Sequence, residues 1–248
     1  MQSVSVRFGG IHALDQLSFT IDEGQICGLI GPNGAGKTTM FNVVSRIYQP
    51  SEGRVLFKGD DLLSVPAHGI ARHGIARTFQ NLALFPSMTL LENVMVGAHC
   101  RGKAGFARSA LRIATRGEEK RTRLAAGDLL SRLGLAHLAN QPAAGLPFGT
   151  LKRLELARAL AAQPTFLIMD EPASGLTHGE VDELGQLIVS IRNEFGLTVL
   201  LVEHHMAMVM GISDKVVAME FGRKIAEGLP AEVQNDPHVI AAYLGTDD

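Results

Sequence analysis

Short, nearly continuous apolar runs recur along the second half of the chain. They occupy residues 165–169, 198–202 and 215–219 and predict strands of a sheet that is covered on both faces. One helix is predicted between the first two runs and a second between residues 202 and 215. Strands that alternate with helices in this way indicate an α/β fold. The first helix, between the first two runs, is predicted from apolar residues at helical spacing that would pack on the core: Val181, Leu184, Ile188, Ile191 and Phe195.

The first third of the chain has a different pattern, in which apolar positions alternate or cluster between glycine-rich turns. Residues 4–8, 14–21 and 54–57 predict an antiparallel β-element. Residues 25–30 form an apolar run suited to a buried strand, and residues 37–46 are suited to a helix. The glycine-rich loop between this strand and this helix is therefore expected to lie beside the β-element.

Residues 82–163 are predicted to be mostly helical. Thr89 and Glu92 have the spacing of a capping box, which marks the start of a helix. An apolar helical face is predicted further along, at Leu124, Leu129, Leu130 and Leu133. This stretch is expected to form a helical subdomain inserted into the α/β core.

The glycine-rich loop carries the strongest chemical signal in the chain. Residues 31–38 read GPNGAGKT and fit the pattern G-x-x-x-x-G-K-[ST]. In that pattern backbone N–H groups surround phosphates, the lysine neutralises them and the hydroxyl holds magnesium. A following helix directs its positive N-terminal end at the same phosphates. The predicted nucleotide-binding residues are Gly31, Pro32, Asn33, Gly34, Ala35, Gly36, Lys37, Thr38 and Thr39.

Two adjacent carboxylates follow the apolar run at 165–169. Asp170 stands at the carboxyl end of the predicted strand, where ligands of open α/β sheets usually bind, so it is predicted to hold magnesium. Glu171 is predicted to orient or deprotonate an attacking water, a contribution worth roughly 10²–10⁴-fold in rate. Together with the loop, these residues predict the hydrolysis of ATP.

Three segments resemble motifs of the ATP-binding cassette (ABC) ATPases, and the resemblance extends from residue 4 to residue 245. Residues 31–38 resemble the Walker A motif, residues 146–150 the signature motif and residues 166–171 the Walker B motif. Residues 174–177 resemble the D-loop. Single positions also match: Phe8 the aromatic residue that stacks on adenine, Gln80 the Q-loop glutamine and His204 the switch histidine.

The resemblance implies a fold, a site and partners. The fold is a P-loop NTPase core with an antiparallel β-subdomain and an inserted α-helical subdomain. One domain is expected over residues 1–248, with its core at 1–81 and 164–248 and the helical subdomain at 82–163. ATP and Mg²⁺ are the implied cofactors. Glu171, His204 and Gln80 are implied to be catalytic, and Thr38, Gln80 and Asp170 to hold the metal.

A second cassette, either identical or a sister protein, is also implied, because the signature loop of one molecule completes the ATP site of the other. Gly149 is expected to act there in trans. Two positions depart from the family pattern: Pro147 replaces the signature serine, and Thr177 replaces the usual D-loop aspartate. The site is interpreted as altered and not inactive, since the Gly149 N–H and the following helix N-terminus still bind phosphate.

Within the family, residues 76–81, 151–160, 201–204 and 242–245 look like the ATPases of branched-chain amino acid importers. Those ATPases act beneath a pair of transmembrane permease subunits and, indirectly, a periplasmic binding protein. The expected location is therefore the cytoplasmic face of the inner membrane, reached through partners. The first strand is short by comparison with the family, so an N-terminal segment is expected to be missing.

Composition narrows the partners. The 248 residues carry a formal net charge of −2, which gives no electrostatic reason to expect nucleic acid as a partner. No uninterrupted apolar run reaches the roughly 18 residues of a membrane-spanning helix, and the start lacks the pattern of an export leader. Cys27 and Cys100 are predicted to be ordinary buried thiols.

Three other functions use part of the same pattern. The ATPase of lipopolysaccharide export is the alternative within the family. A soluble ABC-type ATPase of DNA repair or translation would need a coiled coil or a second cassette in the chain, and the sequence contains neither. A GTPase would need the guanine motif Asn-Lys-x-Asp, which does not occur. The importer ATPase remains the leading prediction.

Overall fold

The structure is a computed structural model that describes residues 1–78, 82–101 and 115–244. Its strands are β1 (Gln2–Phe8), β2 (Ile11–Leu17), β3 (Ile26–Ile30), β4 (Glu52–Arg54), β5 (Leu56–Phe57), β6 (Asp60–Asp61), β7 (Ile75–Arg77), β8 (Phe166–Asp170), β9 (Thr198–Val202), β10 (Lys215–Glu220) and β11 (Arg223–Gly228). Its α-helices are α1 (Lys37–Val44), α2 (Leu90–Gly97), α3 (Thr115–Arg132), α4 (Phe148–Leu160), α5 (His178–Phe195), α6 (Met206–Ile212), α7 (Pro230–Gln234) and α8 (Pro237–Leu244).

Six strands form the main sheet in the order β11-β10-β3-β9-β8-β7. All neighbouring pairs are parallel except β10 with β11. Every residue of β3, β8 and β9 is buried, as the continuous apolar runs predict for strands covered on both faces. Because these strands are parallel, their carboxyl ends meet at one edge of the sheet, where the glycine-rich loop and Asp170 both lie. The predicted α/β class is confirmed.

The predicted antiparallel element exists as the sheet β2-β1-β4, but two of its boundaries were wrong. The strand predicted at 14–21 is β2, which ends at Leu17, just after Gln16 adopts a left-handed φ of 52° and bends the chain. The strand predicted at 54–57 divides into β4, which pairs with β1, and β5, which pairs with β6. Val55 separates them, and its side chain is buried.

The described part of residues 82–163 contains helices α2, α3 and α4, which pack on one another. The predicted capping box is present at the start of α2, where Thr89 accepts from the Glu92 N–H and Glu92 accepts from the Thr89 N–H. Leu124 does not belong to the core as predicted, because its residue is 65% exposed. The buried stripe of α3 consists of Ala126, Leu129 and Leu130 and is continued by Leu133, just after the helix. Helical spacing points Leu124 away from this stripe.

Other predicted core positions are buried as expected. Four of the five residues of the α5 stripe are buried, from Val181 to Ile191, whereas Phe195 is partly exposed. Cys27 is a buried free thiol in β3, and burial raises its pKa to about 12. The side chain of Cys100 lies outside the described residues. Within the ranges that the structure describes, no helix is both long and apolar enough to cross a bilayer.

Candidate functional site

The glycine-rich loop connects β3 to α1 at the carboxyl edge of the main sheet. Gly31 has φ 154°, and a β-carbon there would lie 2.2 Å from the Met219 carbonyl oxygen. Gly36 has φ 98°, and its β-carbon would lie 2.5 Å from the Ala13 carbonyl oxygen. Both positions therefore exclude any other residue. The loop is held from outside by the Gly222 N–H, which donates to the Ala35 carbonyl at 2.9 Å.

Lys37, the first residue of α1, folds back over the loop. Its ammonium donates to the carbonyl oxygens of Gly31 at 2.6 Å and Pro32 at 2.9 Å. Burial lowers the pKa of Lys37, while the negative charges of Glu171 and Asp170 oppose that shift. The predicted phosphate lysine and the predicted acidic pair thus lie in one electrostatic environment.

Asp170 lies at the end of β8 and pairs with Arg77 at the end of β7. Arg77 Nη2 and Asp170 Oδ2 are 3.1 Å apart, and both side chains are largely buried. Burial raises the pKa of Asp170, and Arg77 acts in the opposite direction. Arg77 also donates to Asn42 and Ser45 of the α1 region, so it connects the carboxylate to the helix that follows the loop.

Glu171 and His204 are brought together as a contacting pair. His204 Nε2 lies 2.8 Å from Glu171 Oε1, across a sequence separation of 33 residues. Glu171 also has a left-handed φ of 46°, a backbone conformation that is costly for a residue with a side chain. Its N–H donates to the Val202 carbonyl at 2.8 Å, which fixes it beside the end of β9. Strain of this kind is typical of functional positions.

The predicted adenine-stacking residue lies at the end of β1. Phe8 is 46% exposed, and its ring meets Tyr48 edge to face with centroids 5.1 Å apart. The exposed face of Phe8 is free for contact with a base, since aromatic faces stack on every base. Tyr48, which had not been singled out from the sequence, supports the ring from the side.

The segment matched to the signature motif leads into α4. Pro147 is the N-cap, and its side chain makes no capping hydrogen bond to the helix N-terminus. Gly149, in the first turn, is close to α5: a β-carbon there would lie 2.9 Å from Glu180 Oε1. Thr177 is the N-cap of α5, and both its N–H and its hydroxyl donate to Glu180 Oε2, at 2.9 and 2.7 Å. The two departures from the family pattern are therefore both helix N-caps, and Glu180 lies close to the first turn of each helix.

The predicted metal ligands fit magnesium by their chemistry. The Thr38 hydroxyl is exposed at the start of α1, and the Asp170 carboxylate faces the same region as Lys37. Hydroxyl and carboxylate oxygens, completed by phosphates, are the donors that Mg²⁺ prefers. Gln80, predicted to be both catalytic and a metal ligand, lies outside the described residues.

Two further charged residues at this edge were not assigned a role from the sequence. Arg77 lies in β7, whose parallel register with β8 places it opposite Ile168, two residues before Asp170. Arg77 belongs to the segment 76–81, which resembles importer ATPases, so the sequence did contain a signal for this residue. Glu203 precedes His204, is buried, and accepts hydrogen bonds from three backbone N–H groups. Nothing in the apolar pattern distinguishes it.

The arrangement at this sheet edge is that of a P-loop nucleotide-binding cassette. Solved structures agree: the ADP conformation of MJ1267, an ATP-binding cassette of an ABC transporter, is similar with a TM-score of 0.86 and 32% identity, covering 99% of this chain and 97% of that one. A dimeric structure of MJ0796, a bacterial ABC transporter cassette, has a TM-score of 0.76 and 26% identity, covering 92% and 97%.

Sequence comparison defines the family. The model of the ABC transporter family matches residues 14–174, and that of the branched-chain amino acid ATP-binding cassette transporter matches residues 223–248. The chain belongs to the ABC transporter family. It is similar to high-affinity branched-chain amino acid transport ATP-binding proteins, namely BraF of Pseudomonas aeruginosa, at 40% identity, and LivG of Escherichia coli K12, at 41%. Each match covers 99% of this chain and 96% of the relative.

The lipopolysaccharide export system ATP-binding protein LptB of Escherichia coli K12 is less similar. Its identity is 31% over the same shares of the two chains, 99% and 96%. The difference of about ten percentage points favours the importer interpretation over the export alternative.

Proposed function

We propose that this chain is the ATP-hydrolysing subunit of an importer for branched-chain amino acids or related small amides. Separate transmembrane permease subunits would form the pathway, and a periplasmic binding protein would deliver the solute. The observation that carries the substrate class is the match of residues 223–248 to the branched-chain transporter family, together with about 40% identity over almost the whole chain. The observation that carries hydrolysis is the contact between Glu171 and His204.

Nucleotide binding begins at the loop. Lys37 exchanges its bonds to the Gly31 and Pro32 carbonyls for bonds to phosphate oxygens, which accept from a charged donor more strongly than neutral carbonyls do. Backbone N–H groups of the loop and the N-terminus of α1 contribute further positive potential. Phe8 stacks on the base.

Hydrolysis requires a base beside the γ-phosphate. Glu171 accepts the proton of the attacking water from a backbone that is held at a φ of 46°. Before nucleotide binds, His204 Nε2 keeps Glu171 in place through its 2.8 Å contact. Once the γ-phosphate is present, the same N–H donates to it instead. Thr38 and Asp170 would hold Mg²⁺, which when bound offsets the phosphate charge, and Gln80 is proposed to reach the same ion.

A second cassette completes each site. The N-terminus of α4, where Pro147 provides no side-chain cap and Gly149 lies in the first turn, is suited to an anion supplied by another molecule. The partner is a second copy or a sister protein. Docking to permeases would place the complex on the cytoplasmic face of the inner membrane.

The proposal is tested with Glu171→Gln in the complex reconstituted with its permeases in proteoliposomes. We expect ATP binding to persist, hydrolysis to fall by roughly 10²–10⁴-fold, and leucine uptake to stop. Glu183→Gln, an equivalent change on the surface of α5, serves as the control and is expected to preserve both activities. Hydrolysis by Glu171→Gln near the wild-type rate would exclude Glu171 as the base. Failure of a loaded binding protein to stimulate the wild-type complex would instead reject the importer.

A further inference from the structure

Glu203 is a buried carboxylate between β9 and the predicted switch histidine. Its residue is only 3% exposed. One oxygen accepts from the Ala173 N–H at 2.5 Å, and the other accepts from the N–H groups of His204 at 2.9 Å and His205 at 3.2 Å. The carboxylate therefore joins two loops, one that begins just after Glu171 and one that carries His204.

These are the two loops that must be held for the Glu171–His204 contact to form. Glu171 has a strained backbone, which persists only where the surrounding structure over-determines it. Its own N–H bond to the Val202 carbonyl fixes one side. The Glu203 carboxylate fixes the other side, because it holds Ala173, two residues later, to the backbone of His204.

Lys152 brings a buried positive charge from α4 to the same region. Its residue is 5% exposed, and its ammonium has no hydrogen-bond partner among the residues that the structure describes. Burial lowers the pKa of Lys152, and the charges of Glu155, Glu203, Glu171 and Asp170 oppose that shift. An ammonium without a hydrogen-bond partner is costly to bury, so the surrounding carboxylates are its main compensation.

The same helix also touches the loop after Glu171 through an aromatic side chain. The Lys152 ammonium lies 5.3 Å from the ring centroid of Phe148, the first residue of α4. That ring packs on Gly175, where a β-carbon would lie 3.0 Å from Phe148 Cε1. The beginning of α4 thus has both a packing contact and an electrostatic contact with the hydrolytic side of its own chain.

We propose that Glu203 is a positioning residue that holds Glu171 and His204 in register, and that the packing of Phe148 on Gly175, beside the buried charge of Lys152, links this register to the position of α4. The inference rests on the proposed function, because α4 begins at the loop predicted to complete the site of a second cassette. A displacement of α4 when the two cassettes close would move the loop that Glu203 holds at Ala173. The loop that begins α4, which is proposed to complete the partner's ATP site, would in this way be coupled to Glu171 and His204 of the same chain.

The link is tested first by amide hydrogen exchange, measured by NMR on the full chain without partners. Glu203→Gln places an amide NH₂ where the carboxylate accepted bonds, so at least one N–H loses its acceptor. We expect exchange at Ala173, His204 and His205 to become at least tenfold faster. If the Gln variant does not fold, Glu203→Asp takes its place. Aspartate keeps the charge but is too short to bridge both loops, so we expect the same three amides to exchange faster.

Lys152→Met tests whether the buried charge of α4 contributes to this link, and Arg153→Met is its matched control. Arg153 follows Lys152 in α4 but is a surface residue paired with Glu183. We expect Lys152→Met to accelerate exchange at the same three amides severalfold and Arg153→Met to leave them unchanged. Wild-type exchange at those amides in Lys152→Met would overturn the link, and would mean that Lys152 acts only within α4, beside Glu155.

The positioning role is tested by kinetics in the complex with permeases, with kcat normalised to the amount of bound nucleotide. Glu203→Gln is expected to lower kcat by roughly 10–100-fold, because small displacements of catalytic groups have effects of that size, with KM for ATP within twofold. An unchanged normalised kcat would overturn the positioning role. A wild-type complex that does not hydrolyse ATP would reject the proposed function but leave the amide-exchange result standing.

Discussion

Asn93, a fully buried polar residue in α2, offers a sharp test of how the helical region is held together. Its exposure is 0%. Its Oδ1 accepts from the Phe85 N–H at 2.9 Å, and its Nδ2 donates to the carbonyls of Phe85, Met88 and Thr89 at 3.0–3.3 Å. These bonds close the loop before α2, on which Phe85 and Met88 expose apolar surface. We predict that Asn93→Asp destabilises the protein strongly and in a pH-dependent way.

The hydrogen bonds of the neighbouring groups determine the magnitude. Each of the three carbonyls has a second donor, from the N–H groups of Met88, Ala143 and Asn93 itself. Asn93→Ala therefore leaves only the Phe85 N–H without a partner, at a cost of about 1–3 kcal/mol, plus weaker losses at the carbonyls. An ionised aspartate keeps the bond from Phe85 but directs a negative oxygen at three carbonyls. Uncompensated buried charges cost about 3–5 kcal/mol.

The pH dependence has a defined sign. Burial among carbonyls raises the folded-state pKa of the introduced aspartate above its unfolded value of about 3.9. Its contribution is therefore least unfavourable below that value and becomes more unfavourable as the pH rises through the folded-state pKa. The change is limited to about 1.4 kcal/mol per pH unit. A protonated side chain also donates to one of the carbonyls.

Urea denaturation at pH 5 and pH 8 measures the effect. We expect Asn93→Asp to lower the free energy of unfolding at pH 8 by about 4 kcal/mol, or about 1.3 M in midpoint for a slope near 3 kcal/mol/M, and by clearly less at pH 5. Asn93→Ala should lose a similar amount at both pH values. Asn193→Asp, on the exposed face of α5, should change neither. An aspartate variant with the stability and pH response of the alanine variant would refute the reasoning.

Three further predictions concern the candidate site. Lys37→Ala is expected to lose at least tenfold in ATP affinity because its charge acts on the phosphates already in the bound state; unchanged affinity in calorimetry would contradict that role. Pro147→Ser is expected to raise single-turnover hydrolysis at the site that α4 completes by up to roughly 10²-fold, and equal rates would mean that the helix N-terminus suffices. Burial raises the pKa of Tyr243 and the Gly31 backbone N–H opposes that shift, which places the Tyr243 hydroxyl of α8 near the loop. Tyr243→Phe should weaken ATP binding by a factor of about 2–10, and calorimetry that shows no change would remove α8 from the site.

The order of strands and helices was predictable because burial on both faces leaves a plain sequence signal. The run at β9 was predicted with its observed bounds, and β3 and β8 to within one residue. The predicted end of β2 was wrong because a change in backbone direction, and not a loss of hydrophobicity, ends the strand. Gln16, which has a positive φ, comes just before the last residue of β2. The prediction that Leu124 belongs to the apolar face of α3 was wrong for another reason. Leu124 is hydrophobic and close in sequence to the buried residues, but its angular position on the helix places it outside their stripe.

Some residues of the candidate site also have a local sequence signal, whereas others are recognisable only once the fold brings them together. Lys37 and Asp170 could be predicted from local sequence, Lys37 from the spacing of the glycine-rich pattern and Asp170 from its place at the end of an apolar run. The contact of Glu171 with His204 was not derivable, since it joins residues 33 positions apart through the order of two strands. Glu203 was missed because a single acidic residue at a strand end has no distinguishing pattern. Only the three backbone N–H groups around it reveal a structural role.

The two departures from the family pattern have a joint physical explanation in the contact between α4 and α5. Glu180 accepts from the N–H and hydroxyl of Thr177, so an aspartate at position 177 would place two carboxylates against each other. The same Glu180 lies against Gly149, in the first turn of α4. A carboxylate at a helix N-terminus offsets its positive potential, an effect of about 0.3–1 kcal/mol. Thr177 is therefore compatible with Glu180, whose carboxylate partly offsets the positive potential at the N-terminus of α4. Pro147, in place of the signature serine, removes a hydrogen-bond donor from the same N-terminus. On the proposed role of this loop, both changes would weaken its attraction for a partner's γ-phosphate, and we expect two unequal sites wherever the second cassette lacks them.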